Sequence, residues 1–227
     1  MKETIPVTGM VIGTMPMAEY DKRLLLLTRE LGKISAFAKG SRRPNNPLMA
    51  ASRLFCFGTF ELYEGRNAYT VREVSVRETF DFLSGDMELM CYASYFAEFA
   101  EYYGREGLDG SAQLLLLYAA LLALKSGKLP PELVRRIYEL KAMALEGEYF
   151  PEFTETEEEA AAYAWRYVLD EPPGKVFSFL LEERADLAFS RQVDRQKERY
   201  IDRPFHSLEV LEETRSLLHT HTTKTTV

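Results

Sequence analysis

The stretch KRLLLLTRELGKISAFA, residues 22–38, decides how this chain is read. Two short apolar runs, Lys22–Thr28 and Lys33–Ala38, flank Arg29-Glu30-Leu31-Gly32. Each run has the length of a strand, and Gly32 can take the positive φ that a tight connection needs, so the stretch predicts a β-hairpin. Upstream, Thr4–Met15 is an apolar, β-branched run punctuated by Gly9 and Gly13, which predicts a long bent strand with bulges. Downstream, beyond the loop SRRPNNP, Leu54–Tyr63 and Tyr69–Val76 read as two further strands joined by Glu64-Gly65-Arg66-Asn67. In the first of these, Phe55, Phe57, Thr59 and Glu61 alternate with Cys56, Gly58, Phe60 and Leu62, the period of a strand. Five strands in about eighty residues is the size of a small closed barrel, such as an OB fold.

From Asp81 the period becomes helical. Asp86–Tyr103 carries Met87, Met90, Cys91, Ser94, Tyr95, Phe99 and Tyr102 at helical spacing and is closed by Gly104. Ser111–Ser126 is apolar nearly all round and predicts a buried central helix. Pro131 suits the first turn of a helix running to about Glu146. Thr156 followed by Glu159 reads as a capping box for a helix over Ala160–Leu169, and a further helix spans about Ala185–Tyr200. Ser207–Leu218 predicts a last helix, and the tail THTTKTTV has nothing to bury. The chain is therefore expected to be α+β, with a five-stranded barrel over 1–80, an all-α domain over 81–213 and a disordered tail over 214–227.

The 227 residues are 46% hydrophobic, ample for a packed core. There is no signal-peptide pattern and no apolar run long enough to span a bilayer. Cys56 and Cys91 suit a reducing compartment and cannot make a four-thiolate zinc site, so a cytoplasmic protein without a metal or other cofactor is expected. No Gly-rich phosphate loop, nucleophile elbow or paired-histidine zinc motif is present, and His206, His219 and His221 all fall near the end. Nothing here reads as an active site.

Charge is distributed unevenly. Residues 1–80 hold 12 Lys+Arg against 8 Asp+Glu, while residues 81–227 hold 16 against 27. Within 22–53, Lys22, Arg23, Arg29, Lys33, Lys39, Arg42, Arg43 and Arg53 are answered only by Glu30. Such a run is either a polyanion site or a solvated face, and the residues alone leave both open. Phe37, Phe55, Phe57, Phe60, Tyr63 and Tyr69 read as barrel core, with Tyr63 and Tyr69 beside the polar turn as exceptions free to stack on bases.

Four stretches resemble the RecO recombination-mediator family: GMVIGTMPMAEYDKRLLLLTRELGKISAFAKGSRRPNN, LFCFGTFELYEGRNAYTVREVSVRETF, YASYFAEFAEYY and IYELKAMALEGEYFPEF. The resemblance implies an N-terminal OB fold, a helical C-terminal domain and a non-enzymatic, nucleoid-associated protein of recombinational repair. It implies binding of single- and double-stranded DNA, strand annealing, contact with the acidic tail of single-strand-binding protein, and loading of RecA together with RecR. It favours Lys33, Lys39, Arg42 and Arg43 as DNA contacts, with Arg23, Arg29 and Arg53 behind them because strand alternation leaves their face open. It further suggests that Arg135, Arg136 and Lys141 help hold the single-strand-binding protein tail; intrahelical pairing with Glu132 and Glu139 is the competing reading. The chain departs from many members in one place. Where they carry a four-cysteine zinc module, it reads TETEEEAAAYAWRYVLDEPPGKVFSF, with no cysteine or histidine. The alternative, from another class, is an adaptor whose barrel and helices recognise acidic peptides rather than DNA.

Overall fold

The computed structural model describes residues 3–66, 68–154 and 158–213. Five strands, β1 (Ile5–Met17), β2 (Asp21–Thr28), β3 (Gly32–Ala38), β4 (Phe57–Tyr63) and β5 (Tyr69–Glu78), close into a barrel in the order β1-β2-β3-β5-β4. This is the five-stranded OB-type barrel that the sequence predicts. Neighbours pair antiparallel except β3 and β5, which run parallel through Ala36↔Tyr69 and Phe37↔Thr70. The register of β1 on β2 shifts between Val11 and Gly13, a bulge of the kind expected there. Gly32 takes φ +63 at the hairpin, where a Cβ would run into the carbonyl oxygen of Arg105.

Alternation fills the barrel. Leu24 and Leu26 on β2, Ile34, Ala36 and Ala38 on β3, and Phe60 and Leu62 on β4 point inward with Val7, Val11 and Val71. The exit loop after β3 ends in one helical turn that the sequence reading missed, α1 (Leu48–Ala51). It puts Leu48 and Ala51 into the same core. Phe55, expected at the start of a strand, precedes β4 with φ +64 and is buried.

After a 3₁₀ turn at Asp81–Gly85 come α2 (Met87–Tyr103), α3 (Ser111–Ser126), α4 (Pro131–Leu145), α5 (Glu159–Asp170) and α6 (Glu183–Tyr200), and residues 206–213 are also helical. The described chain divides into two compact units. One joins the residues up to Asp81 with Ala100–Leu115; the other joins Phe82–Phe99 with those from Leu116 onward. Backbone hydrogen bonds explain the grouping of 100–115 with the barrel: Lys33 N donates to Arg105 O at 3.1 Å, Gly107 N to Leu31 O at 3.0 Å and Gly110 N to Arg29 O at 2.9 Å.

The helical unit packs around aromatic side chains. Phe96 stacks on Tyr138 with centroids 4.4 Å apart, and the Tyr138 hydroxyl donates to the Phe96 carbonyl at 2.9 Å. Buried Gln192 and Gln196 fasten the corner 150–154: Phe150 N donates to Gln196 Oε1 at 2.9 Å, and Gln192 Nε2 to Glu152 O at 3.1 Å. The helix α3 has the predicted bounds but is not buried all round, since Leu115 is 45% and Leu122 39% exposed. Seven residues apart, they share one face, which a uniformly apolar helix gives no periodicity to anticipate. The expected capping residue Thr156, the end of the expected last helix and the tail with His219 and His221 lie outside the described residues. No helix among the described residues is long and apolar enough to cross a membrane.

Candidate nucleic-acid interface

The strand parity that points Leu24, Ala36 and Ala38 inward turns Arg23, Ser35 and Phe37 outward. Arg23 lies opposite Phe37 in the β2–β3 register, and Arg23 Nε donates to Ser35 Oγ at 2.6 Å, which holds the guanidinium along the sheet face. Barrel closure brings Thr70 beside Phe37, and the β4–β5 loop adds Arg66. Arg23, Phe37, Lys39, Arg66, Ala68 and Thr70 line an open cleft of ≈ 600 Å³. None of its three cations makes an ion pair with a described carboxylate. Glu30, the lone acid of the basic run, is turned elsewhere and accepts a hydrogen bond from Thr8 N at 2.8 Å. Three uncompensated cations around one half-exposed ring form a surface suited to an extended polyanion with stackable bases.

A second group gathers at the exit loop. Lys22 Nζ donates to Ser52 O at 3.2 Å; burial, then the nearby charges of Arg42 and Arg53, lowers its pKa. Arg43 lies over the Tyr20 ring, 4.8 Å from its centroid, and Arg42 Nη1 reaches Ala18 O at 3.4 Å. The loop is pinned by hydrogen bonds: Gly40 N donates to Asp21 Oδ1 at 2.7 Å, and Leu48 N to Asn46 Oδ1 at 2.8 Å. Arg53 makes an exposed ion pair with Asp81 at 3.4 Å.

Arg29 and Lys33 do not join either group. Both sit toward the hairpin end: Arg29 is six residues beyond Arg23, about 20 Å of extended chain, and Lys33 pairs with Leu27, four positions or about 13 Å from the Arg23–Phe37 pair. Lys33 Nζ is committed to the Glu101 carbonyl at 2.6 Å. Of the aromatics, Phe55 and Phe60 are core as expected, whereas Phe37 lines the cleft. Arg66 was not anticipated, because it stands far from the basic run and only the closure of the barrel carries it there.

The cations of α4 lie inside the helical unit. Arg135, Arg136 and Lys141 are 7%, 8% and 5% exposed, so they form no open cationic spot. Arg135 pairs with Glu132 and, at 3.6 Å, with Glu139; Arg136 pairs with Glu139 at 3.2 Å and with Asp194. Lys141 Nζ donates to the Leu169 carbonyl at 2.9 Å. Glu139 is wholly buried and also receives Lys197 Nζ at 3.1 Å and the Tyr95 hydroxyl at 2.5 Å. Burial pushes its carboxyl up, but Lys197, Arg135 and Arg136 outweigh that and hold it below the ordinary value of 4.5. These cations are spent on the interior of the helical unit.

Comparison with known proteins agrees with this architecture. Residues 1–80 match the family model for the N terminal of recombination protein O, and residues 84–158 match the model for its C terminal. The chain is 32% identical over 139 residues to the DNA repair protein RecO of Clostridium kluyveri, covering 61% of this chain and 54% of that one. It is 34% identical over 143 residues to that of Alkaliphilus metalliredigens, covering 63% and 58%. Against that of Symbiobacterium thermophilum it is 36% identical over 141 residues, covering 62% and 56%. The chain thus spans little more than half the length of the curated relatives it matches. With the two models falling in order on the barrel and on the helices that follow, the chain belongs to the RecO family.

Proposed function

We propose that this chain is a non-enzymatic, DNA-binding mediator of recombinational repair. In this reading the barrel binds single- and double-stranded DNA, promotes annealing and, with RecR, helps load RecA onto DNA covered by single-strand-binding protein. The observation that carries it is the cleft, where Arg23, Lys39 and Arg66 surround Phe37 without a described counter-ion. Its position, on the outer face of β2 and β3 beside the β4–β5 loop, is where barrels of this type hold oligonucleotides. Contacts to phosphate and to ring faces carry no base code, which suits a protein that must accept any sequence. Annealing then follows from neutralisation: two strands held by cations on one small barrel repel each other less, with no nucleotide hydrolysed. The second group, Lys22, Arg42 and Arg43, extends the positive surface toward the exit loop, while Arg53 beside it is paired with Asp81.

Contact with the acidic tail of single-strand-binding protein is part of the same proposal, but α4 offers no accessible cation for it. Substitutions at Arg135 or Arg136 are assigned an effect on stability rather than on tail affinity.

The test is anisotropy of labelled single-stranded oligonucleotides across a salt series, in the absence of any partner protein. Affinity should fall steeply with salt. Phe37→Ala should weaken binding about tenfold while leaving the salt slope unchanged, because stacking on one ring contributes about 1–3 kcal/mol and no charge. Absence of salt-dependent binding would favour the adaptor reading, in which the barrel meets an acidic peptide.

A further inference from the structure

The helical unit carries a groove that DNA binding does not use. On α5, Ala160 and Ala164 lie one turn apart with Tyr163 and Tyr167 beside them, so two small side chains leave a furrow between two rings. Residues 178–181 close its other side, giving a groove of ≈ 430 Å³ whose lining includes Phe179, Leu180 and Leu181. Its walls are fixed by hydrogen bonding and ring contact. The Tyr167 hydroxyl donates to Lys175 O at 3.3 Å, lies 2.8 Å from Ser178 Oγ, and the ring meets Phe179 edge-on at 5.7 Å. Tyr163 and Leu180 on the two rims are 66% and 64% exposed. A preformed apolar furrow with large exposed side chains on both rims has the form of a recognition site.

The charge around it selects the partner. The described residues of 151–187 include eight Asp+Glu and three Lys+Arg. Two of those cations are already paired, Arg184 with Glu158 and Lys175 with Glu171. Glu159 stands next to Ala160, and Glu182 and Glu183 follow Leu181; all three are exposed. The surroundings therefore repel nucleic acid and acidic peptides and attract cations.

We propose that this groove docks a short cationic amphipathic segment of a partner protein. Its apolar side chains fill the furrow between Tyr163 and Leu180, and its Lys or Arg side chains face Glu159, Glu182 and Glu183. The apolar contacts supply most of the binding free energy, and the carboxylates steer association and exclude acidic competitors.

The test uses the full chain and three labelled probe peptides: one of Lys and Leu at helical spacing, one with every Leu replaced by Ser, and one with every Lys replaced by Glu. Anisotropy should show binding of the Lys/Leu peptide, with the other two at least roughly tenfold weaker. Leu180→Ser removes one rim and Ala160→Trp fills the furrow from an exposed position; each should weaken the Lys/Leu peptide roughly tenfold with the melting temperature unchanged. Equal binding of the Lys/Ser peptide would mean charge attraction alone and overturn the proposal. So would unchanged affinity in both variants. Sedimentation velocity should show no self-association through this face; a dimer dissolved by Leu180→Ser would give the groove to a second copy and refute the assignment.

Discussion

Replacing Arg23, Lys39 and Arg66 together by Ala should weaken binding of single-stranded DNA roughly a hundredfold. All three line the same cleft; in the proposed reading each meets a phosphate, and an exposed ion pair contributes up to about 1 kcal/mol, so three lost contacts cost about 3 kcal/mol. The slope of log Kobs against log salt should become shallower by about 2, since each phosphate contact on a single strand contributes about 0.7. Fold stability should hardly change, because none of the three makes an ion pair with a described carboxylate. Arg29→Ala is the control. It is exposed too, but at the hairpin end, and its loss should change affinity by no more than about twofold. A triple variant that binds normally, or an Arg29 variant that binds as poorly as the triple, would move the interface away from this cleft.

The largest effect on stability is expected at Glu139. Glu139→Ala should cost about 3–5 kcal/mol and lower the melting temperature by about 6–20 °C. The loss does not measure the worth of the network as a whole, which a well-packed apolar cluster of similar volume would match. It arises because the variant leaves Arg135, Arg136 and Lys197 inside the helical unit without the carboxylate they share. Glu139→Gln keeps the volume and an acceptor for Tyr95, so a large residual loss in that variant assigns the effect to charge. The pH dependence carries the same signature. Burial raises the carboxyls of both Glu132 and Glu139, yet their cationic neighbours outweigh it and leave both below the ordinary value of 4.5. A depressed native pKa stabilises the fold fully above the unfolded value and progressively less as pH falls through the native one. The parent chain should therefore lose stability on acidification below about pH 4.5, and Glu139→Ala should show a shallower loss in thermal melts across that range.

What the amino-acid order makes legible, and what it hides, separates by range. The hairpin at 22–38 is local: two apolar runs and one glycine suffice, and β2 and β3 fall on them. The bounds of α3 and the start of α4 at Pro131 are equally local. Arg66 is hidden because its place in the cleft depends on β3 pairing in parallel with β5, a contact of long sequence separation. Phe37 is legible in strand parity, since Ile34, Ala36 and Ala38 share one face and Phe37 has the other, while its apolar ring by itself points to a core. The pairs of Arg135 with Glu132 and Glu139 are local and legible as intrahelical spacing, whereas the pair of Arg136 with Asp194, 58 residues away, is not. Counting charge finds an electropositive segment, but only the closed barrel divides its members between the cleft, the exit loop and the hairpin end.

The claim that the β2–β3 cleft is the DNA site is tested most directly by photo-crosslinking. A single strand carrying 5-bromouracil, irradiated on the full chain and mapped by peptide mass spectrometry, should attach within the cleft, at Phe37 foremost and on the peptides bearing Arg23 and Arg66. Adducts confined to the Arg29–Lys33 hairpin end, or to the helices beyond Leu116, would contradict it.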